Sequence, residues 1–300
     1  MTTHNPTRRD FLITSLGVMA ATKISYSQIS QTFTAGDVIE RIQNNLNTAS
    51  TRAALDRFIA GNANMPVKGI ATAVIATLDV IEQARDKGFN MIITHEPTFY
   101  SQRDNIQQFR EDSVLQYKLE YIETNNIIIY RLYDQWLAHN PSGYVEGIMQ
   151  LMNWQENVDS QNSNVFTFED TILLELAKDI ETKLGIKTMR VIGDPQMPVK
   201  RVAIGYGNTS LEQGVELISR DDVDVLIIGE ANEWDVNEYA IDTYSSGKNI
   251  AVIYLGHLMS DVPGMKFCAQ WLKGLIKEVP VEYINFPEPF WFADKPQWQY

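Results

Sequence analysis

Residues 69–94 read GIATAVIATLDVIEQARDKGFNMIIT, and this stretch decides the fold class. The run 69–76 is apolar and bounded by glycine, as a buried strand is. Residues 80–87 carry apolar side chains at helical spacing and stop at Gly88, a residue that ends helices without a steric penalty. A second apolar run, 91–94, follows. Two apolar strands joined by a helix predict a βαβ unit with a parallel pair, because parallel neighbours need a crossover connection.

The same alternation extends on both sides. Upstream, Thr34 followed by Asp37 marks a helix start, and Val38, Ile39, Ile42 and Leu46 give that helix one apolar face. Downstream, a helix over 114–123, a strand over 127–130 and a helix over 144–151 complete a first lobe, 34–154. A connector, 155–200, carries one amphipathic helix, 172–184, closed by Gly185, and is then broken by Pro195 and Pro198. Strands at 202–204, 223–228, 250–254 and 281–284, with helices at 211–218, 236–244 and 262–275, predict a second lobe over 201–290. The expected fold is α/β, with two lobes of mixed, largely parallel sheet flanked by helices, then an irregular tail, 291–300.

Composition narrows the function. With 300 residues, 44% of them hydrophobic and 21% charged, the chain can bury an extended core. The formal net charge of −13 argues against nucleic acid or an anionic membrane as partner, since both attract clustered Lys and Arg. The single cysteine, Cys268, excludes an intramolecular disulfide and any multi-thiolate site. It lies in an apolar helical stretch and reads as a buried side chain. Imidazole and carboxylate are the metal ligands left.

The amino terminus reads as an address. Thr7-Arg8-Arg9-Asp10-Phe11-Leu12 precedes an uncharged, mildly apolar run, 13–21, which is the layout of a twin-arginine signal. That run is far short of the roughly 20 residues of a membrane span, so no stable anchor is expected. Residues 1–27 are expected to be a signal peptide, cleaved before Gln28, on a protein exported to the periplasm or beyond. The twin-arginine route carries folded cargo, which suits a protein that takes up a metal before export.

In α/β sheets the carboxyl ends of parallel strands form the ligand-binding edge. His95-Glu96-Pro97 follows strand 91–94, and Pro97 favours the turn that adjacent strand residues need to converge. Asp134 lies just past strand 127–130, as a ligand or as a helix cap. His257 follows strand 250–254, with Asp261 four residues on. In a helical turn the two share a face; alternatively Asp261 caps the helix that Pro263 starts. The acidic strand end 229–235 offers Glu230 and Glu233, either as general bases or in a solvated turn. Three distant strand ends with His or carboxylate together resemble a metal site. Gly205-Tyr206-Gly207-Asn208 is either a tight turn or a place for a phosphate on backbone amides. Neither a Gly-x-Ser-x-Gly elbow nor a Walker loop is present.

Ile92-Ile93-Thr94-His95-Glu96-Pro97 resembles the strand-His-(His or Glu)-Pro signature of the Nif-three-like proteins, also called GTP cyclohydrolase I type 2 homologues. Asp224-Val225-Leu226-Ile227-Ile228-Gly229-Glu230 is similar to that family's Asp-x-x-x-x-Gly-Glu strand end, and Gly256-His257 with an acid at 261 completes the set. The resemblance covers about residues 36–290. It implies two lobes with a dinuclear metal centre in the crevice between them, and a ring-like homohexamer. Carried over, His95, Glu96, Asp134, His257 and Asp261 are the metal ligands, with Asp134 bridging. Two divalent ions, Zn, Mn, Fe or Co by ligand type, would act on a small phosphorylated or heterocyclic substrate. The competing reading is a metal-binding or storage scaffold without turnover. This chain departs from the family pattern in having Glu96 for a second His, Asp261 for Glu, and no His beside Asp134.

Overall fold

The computed structural model describes residues 32–46, 55–139 and 142–293; the expected signal peptide, 1–27, and the tail residues 294–300 lie outside the described residues. From Phe33 onward the chain belongs to one compact unit. Its first half runs α1 (Ala35–Asn45), β1 (Arg57–Ala60), β2 (Ile70–Ala73), α2 (Leu78–Asp86), β3 (Met91–Thr94), α3 (Ser113–Thr124), β4 (Ile128–Arg131), α4 (Asp134–Ala138) and α5 (Gly143–Met152). The second half runs β5 (Val165–Ile172), α6 (Leu173–Leu184), β6 (Arg190–Ile192), β7 (Pro198–Ile204), α7 (Leu211–Ile218), β8 (Val225–Ile228), α8 (Val236–Ser245), β9 (Ala251–Tyr254), α9 (His257–Leu275) and β10 (Val281–Tyr283).

These strands form two mixed sheets, ordered β1-β4-β3-β2-β10 and β5-β7-β8-β9-β6. In the first, only the edge strand β1 is antiparallel; in the second, β5 and β6 are the antiparallel edges of a parallel β7-β8-β9 centre. The expected α/β class with two mixed sheets flanked by helices is what the chain adopts.

Alternation along each strand sorts side chains to two faces. Ile70, Met91, Ile93, Ile128 and Tyr130 of the first sheet share one core with Val202, Ile204, Val225, Ile227 and Ile253 of the second. The apolar stripes of α1, α5, α6 and α9 fill the space between. The opposite faces hold smaller cores: Ala71, Ile92 and Ile129 against α2 and α3, and Ala203, Leu226 and Val252 against α8. Cys268 is buried in α9, as expected. Among the described residues no helix is long and apolar enough to cross a membrane.

Five elements differ from expectation. β1 was not anticipated, because a half-buried edge strand whose apolar part is only Phe58-Ile59-Ala60 is too short to show a strand pattern. Within the expected connector, β5 and β6 are strands of the second sheet. β5 is mostly half-buried or exposed, and its ladder is interrupted between Thr167 and Thr171, near Asp170 at φ +50°. β10, expected beside the second-lobe strands, instead pairs with β2 in the first sheet. Finally, α9 starts at His257 and carries Pro263 inside it, not at its first turn.

α9 and α5 meet closely because Gly147 faces the Pro263 carbonyl, where a Cβ would overlap backbone atoms. Gly147→Ala is therefore expected to destabilise the fold by about 1–3 kcal/mol through overpacking, although alanine is the better helix former. Urea denaturation checks this; wild-type stability would mean that the two helices are not in backbone contact.

Candidate metal centre

The site forms where β3, β8 and β9 end. The His95 and Glu96 amides both donate to the Val74 carbonyl, at 3.2 and 2.9 Å. This double anchor bends the chain at the strand end, so neighbouring side chains converge where a straight strand would send them to opposite faces. From the second sheet, the Leu255 and Gly256 amides donate to the Ile228 and Gly229 carbonyls, both at 2.9 Å. Gly256, at φ +89°, then turns directly into α9 and delivers His257 and Asp261 one helical turn apart.

His95, Glu96 and Asp261 each offer a donor atom within 4.8 Å of the others. A dication with donor distances of about 2.0–2.2 Å holds tetrahedral ligands about 3.3–3.6 Å apart, so a small inward shift of these side chains would close the group on an ion. His257 joins the group through Glu96: its Nε2 lies 3.2 Å from Glu96 Oε1, and its Nδ1 lies 2.8 Å from Glu230 Oε1. The cap alternative for Asp261 fails, since the helix begins before it and its side chain is wholly buried.

The donor set fits a cation on two observations. Asp261 Oδ2 and His95 Nδ1 are buried without any hydrogen-bond partner, a costly state for polar atoms unless something else satisfies them. The electrostatics agree. Burial, with Glu96 close by, pushes the Asp261 carboxyl well above its ordinary range. Burial pulls the His95 imidazole down to about 4, so it is neutral and able to ligate. His257 moves the other way, up to about 9, through its hydrogen bond to Glu96, against burial, and through Glu230. An imidazolium thus supplies positive charge to the carboxylates, and a dication on Glu96 would displace its proton.

The remaining expected site residues are placed differently. Asp134 opens the short helix α4, but its Oδ2 accepts the Leu55 amide at 2.8 Å, and it does not belong to the close donor group. Asp56 serves as the acceptor for that turn, taking the Tyr133, Asp134 and Gln135 amides. Glu230 does face the site through His257. Glu233 does not: it is exposed and ion-paired with Arg190, because α8 begins three residues later and turns the strand end away. The segment 205–208 is neither a tight turn nor an amide cradle: it bends at Gly207, φ +59°, and bridges to Glu230 at Asn208, while the Gly205, Gly207 and Thr209 amides donate to Ile227 O, Ser260 Oγ and Glu230 O.

Several residues at the site were not anticipated. His95 stacks on Tyr133 with ring centroids 4.3 Å apart and meets Tyr144 edge-on at 4.7 Å; Tyr144 stacks on Tyr206. The Tyr144 hydroxyl is buried without a partner. Beside the donor group lies an open cleft of about 850 Å³ whose walls include Lys118 and Arg131 as well as Glu230 and His257. Lys118 had left a signal: it sits with Leu115 and Ile122 on the buried stripe of α3, where a lysine is out of place.

The model of the Duf34/NIF3 (NGG1p interacting factor 3) family matches residues 34–289. The GTP cyclohydrolase 1 type 2 homolog of Clostridium acetobutylicum is 25% identical over 236 residues, covering 74% of this chain and 83% of that protein. Its Clostridium perfringens counterpart is 24% identical over 250 residues, covering 78% and 89%. Among solved structures, a Bacillus cereus protein related to NIF3 matches with a TM-score of 0.70 at 14% identity, over 88% of this chain and all of the other. Staphylococcus aureus protein SA1388 matches with a TM-score of 0.69 at 16% identity, over 87% and 99%. At these identities the solved structures speak for the fold.

Proposed function

The chain belongs to the Duf34/NIF3 family, and on that premise we propose that it is an exported divalent-metal protein with hydrolase-like activity on a small phosphorylated or heterocyclic substrate. The observation that carries the metal reading is the buried, unpartnered Asp261 Oδ2 within reach of His95 and Glu96. These three residues would hold the ion, with His257 beside them. Zn, Mn, Fe and Co all suit imidazole and carboxylate donors. When bound, such an ion supplies Lewis-acid polarisation and makes water a stronger acid. The chain's own part is to hold and move a proton: Glu230 fixes His257 through Nδ1, so Nε2 faces Glu96 and the cleft. The half-buried Tyr133 and the buried Tyr144 cover His95, which is only 3% exposed, and limit its contact with water.

A second ion requires Asp134 to exchange the Leu55 amide for metal. That engaged carboxylate favours a second reading, a metal-binding scaffold without turnover. Export through the twin-arginine signal at 1–27 and assembly into a homohexamer belong to the same proposal. Metal analysis of the purified mature chain, with a turnover screen over phosphoesters, nucleotides and cyclic amides, tests it. Stoichiometric metal with hydrolysis of one class is expected; metal without turnover supports the scaffold, and absence of metal defeats both readings.

A further inference from the structure

The cleft beside the donor group has a chemically mixed lining. Glu96, Glu230 and His257 belong to the site already described. The lining also includes Lys118, only 3% exposed although it is a lysine in a chain of net charge −13. Its Nζ donates to the Thr98 carbonyl at 2.7 Å, and among the described residues that is its one hydrogen bond. An ammonium has three N–H donors; beyond Thr98 this one faces the Phe99 and Tyr100 rings, each with its centroid 5.5 Å from Nζ, weak partners that an anionic acceptor would outcompete. Thr98 also lines the cleft, and its hydroxyl is buried with no partner. A buried cation and a buried hydroxyl left incompletely satisfied in one cavity lining are costly unless a ligand completes them.

Neighbouring charges do not neutralise this part of the lining. Arg131, equally buried, donates through Nε to the His95 carbonyl at 2.8 Å and through Nη1 to the Gln102 carbonyl at 2.5 Å. Asp104 stands nearest to both cations, yet its Oδ1 accepts the Thr98 and Phe99 amides at 2.6 and 2.9 Å, and its Oδ2 lies 3.8 Å from Arg131 Nη1. One carboxylate serves two buried cations. Burial, opposed by Asp104, accordingly lowers the Lys118 ammonium to about 8, as happens to a cation short of counter-charge.

We infer that Lys118 Nζ and Thr98 Oγ1 form an oxyanion subsite that takes the phosphate group of the substrate in the metal-side cleft. A phosphate matches it because it brings negative charge and several acceptor oxygens for one ammonium and one hydroxyl. Binding there leaves the remainder of the substrate to extend towards His95, Glu96 and His257. The role of this phosphate in a reaction rests on the proposed metal-dependent function; the subsite itself does not.

Titration of the full chain with inorganic phosphate by calorimetry, metal-depleted and manganese-loaded, with metal content measured in the same samples, tests the subsite. Wild type is expected to bind phosphate in both forms, with acetate weaker. Lys118→Met keeps the aliphatic stem and is expected to weaken phosphate binding about tenfold or more. Thr98→Val removes only the hydroxyl and is expected to weaken it several-fold, which keeps the test decisive if the lysine variant fails to fold. Phosphate binding that needs manganese and is unchanged in both variants would overturn the subsite, as would no binding to wild type or equal binding of acetate. Failure to take up manganese while the phosphate response persists would count against the metal reading alone.

Discussion

His95→Ala is expected to lose at least about 100-fold in affinity for a transition-metal dication, since even outer-shell partners of ligands are worth 10–100-fold. His95 is the neutral imidazole of the donor group, and the double anchor of residues 95 and 96 on Val74 fixes where it points. Its ring is held by contacts with Tyr133 and Tyr144, which keep it from turning out of the donor group. Glu233→Gln is the matched control, because Glu233 is committed to Arg190 and should leave affinity unchanged. Competition with a chromophoric chelator reads both. Equal loss in the two variants, or in neither, would remove His95 from the metal centre.

Asp261→Asn is expected to reverse its effect according to whether metal is present. Without metal, the folded state holds the Asp261 carboxyl protonated above its ordinary 3.8, through burial and then Glu96. The native state then binds more protons than the unfolded chain, so this residue costs stability as pH rises from the ordinary carboxylate range towards its raised folded value. Asparagine does not titrate. The metal-free variant should therefore match or exceed wild type at neutral pH, by about 1–3 kcal/mol if the charged form is the one relieved. With metal at about 100 times its Kd, wild type gains about 2.7 kcal/mol and the variant little. Thermal unfolding with and without added metal reads the order. A variant less stable under both conditions would make Asp261 a structural acid, held by Ser260 Oγ at 3.3 Å.

Much of this was legible in the chain itself, for local reasons. The βαβ unit at 69–94 is fixed by buried apolar strands and by Gly88 at φ +78°, both short-range signals. His95 and Glu96 were identifiable because a polar pair interrupts an apolar strand end. What escaped depends on distant partners. β10 has three residues, and its place beside β2 follows from packing of α9 against the first sheet, including Thr72 Oγ1 donating to the Met265 carbonyl. Pro263 masked the start of α9, and so left Asp261 undecided between cap and ligand. Asp134 pairs with Leu55 and Glu233 with Arg190, long-range partners that no strand-end pattern encodes. Tyr144 and Lys118 are polar residues on apolar helical stripes, a signal visible in the sequence but easily taken for tolerance.

The most direct measurement is anomalous X-ray diffraction at the absorption edge of the metal that copurifies with the chain or reconstitutes it. A peak enclosed by His95, Glu96 and Asp261, with His257 at its edge, is the predicted result. An empty donor group, with metal only on exposed surface carboxylates, would contradict it.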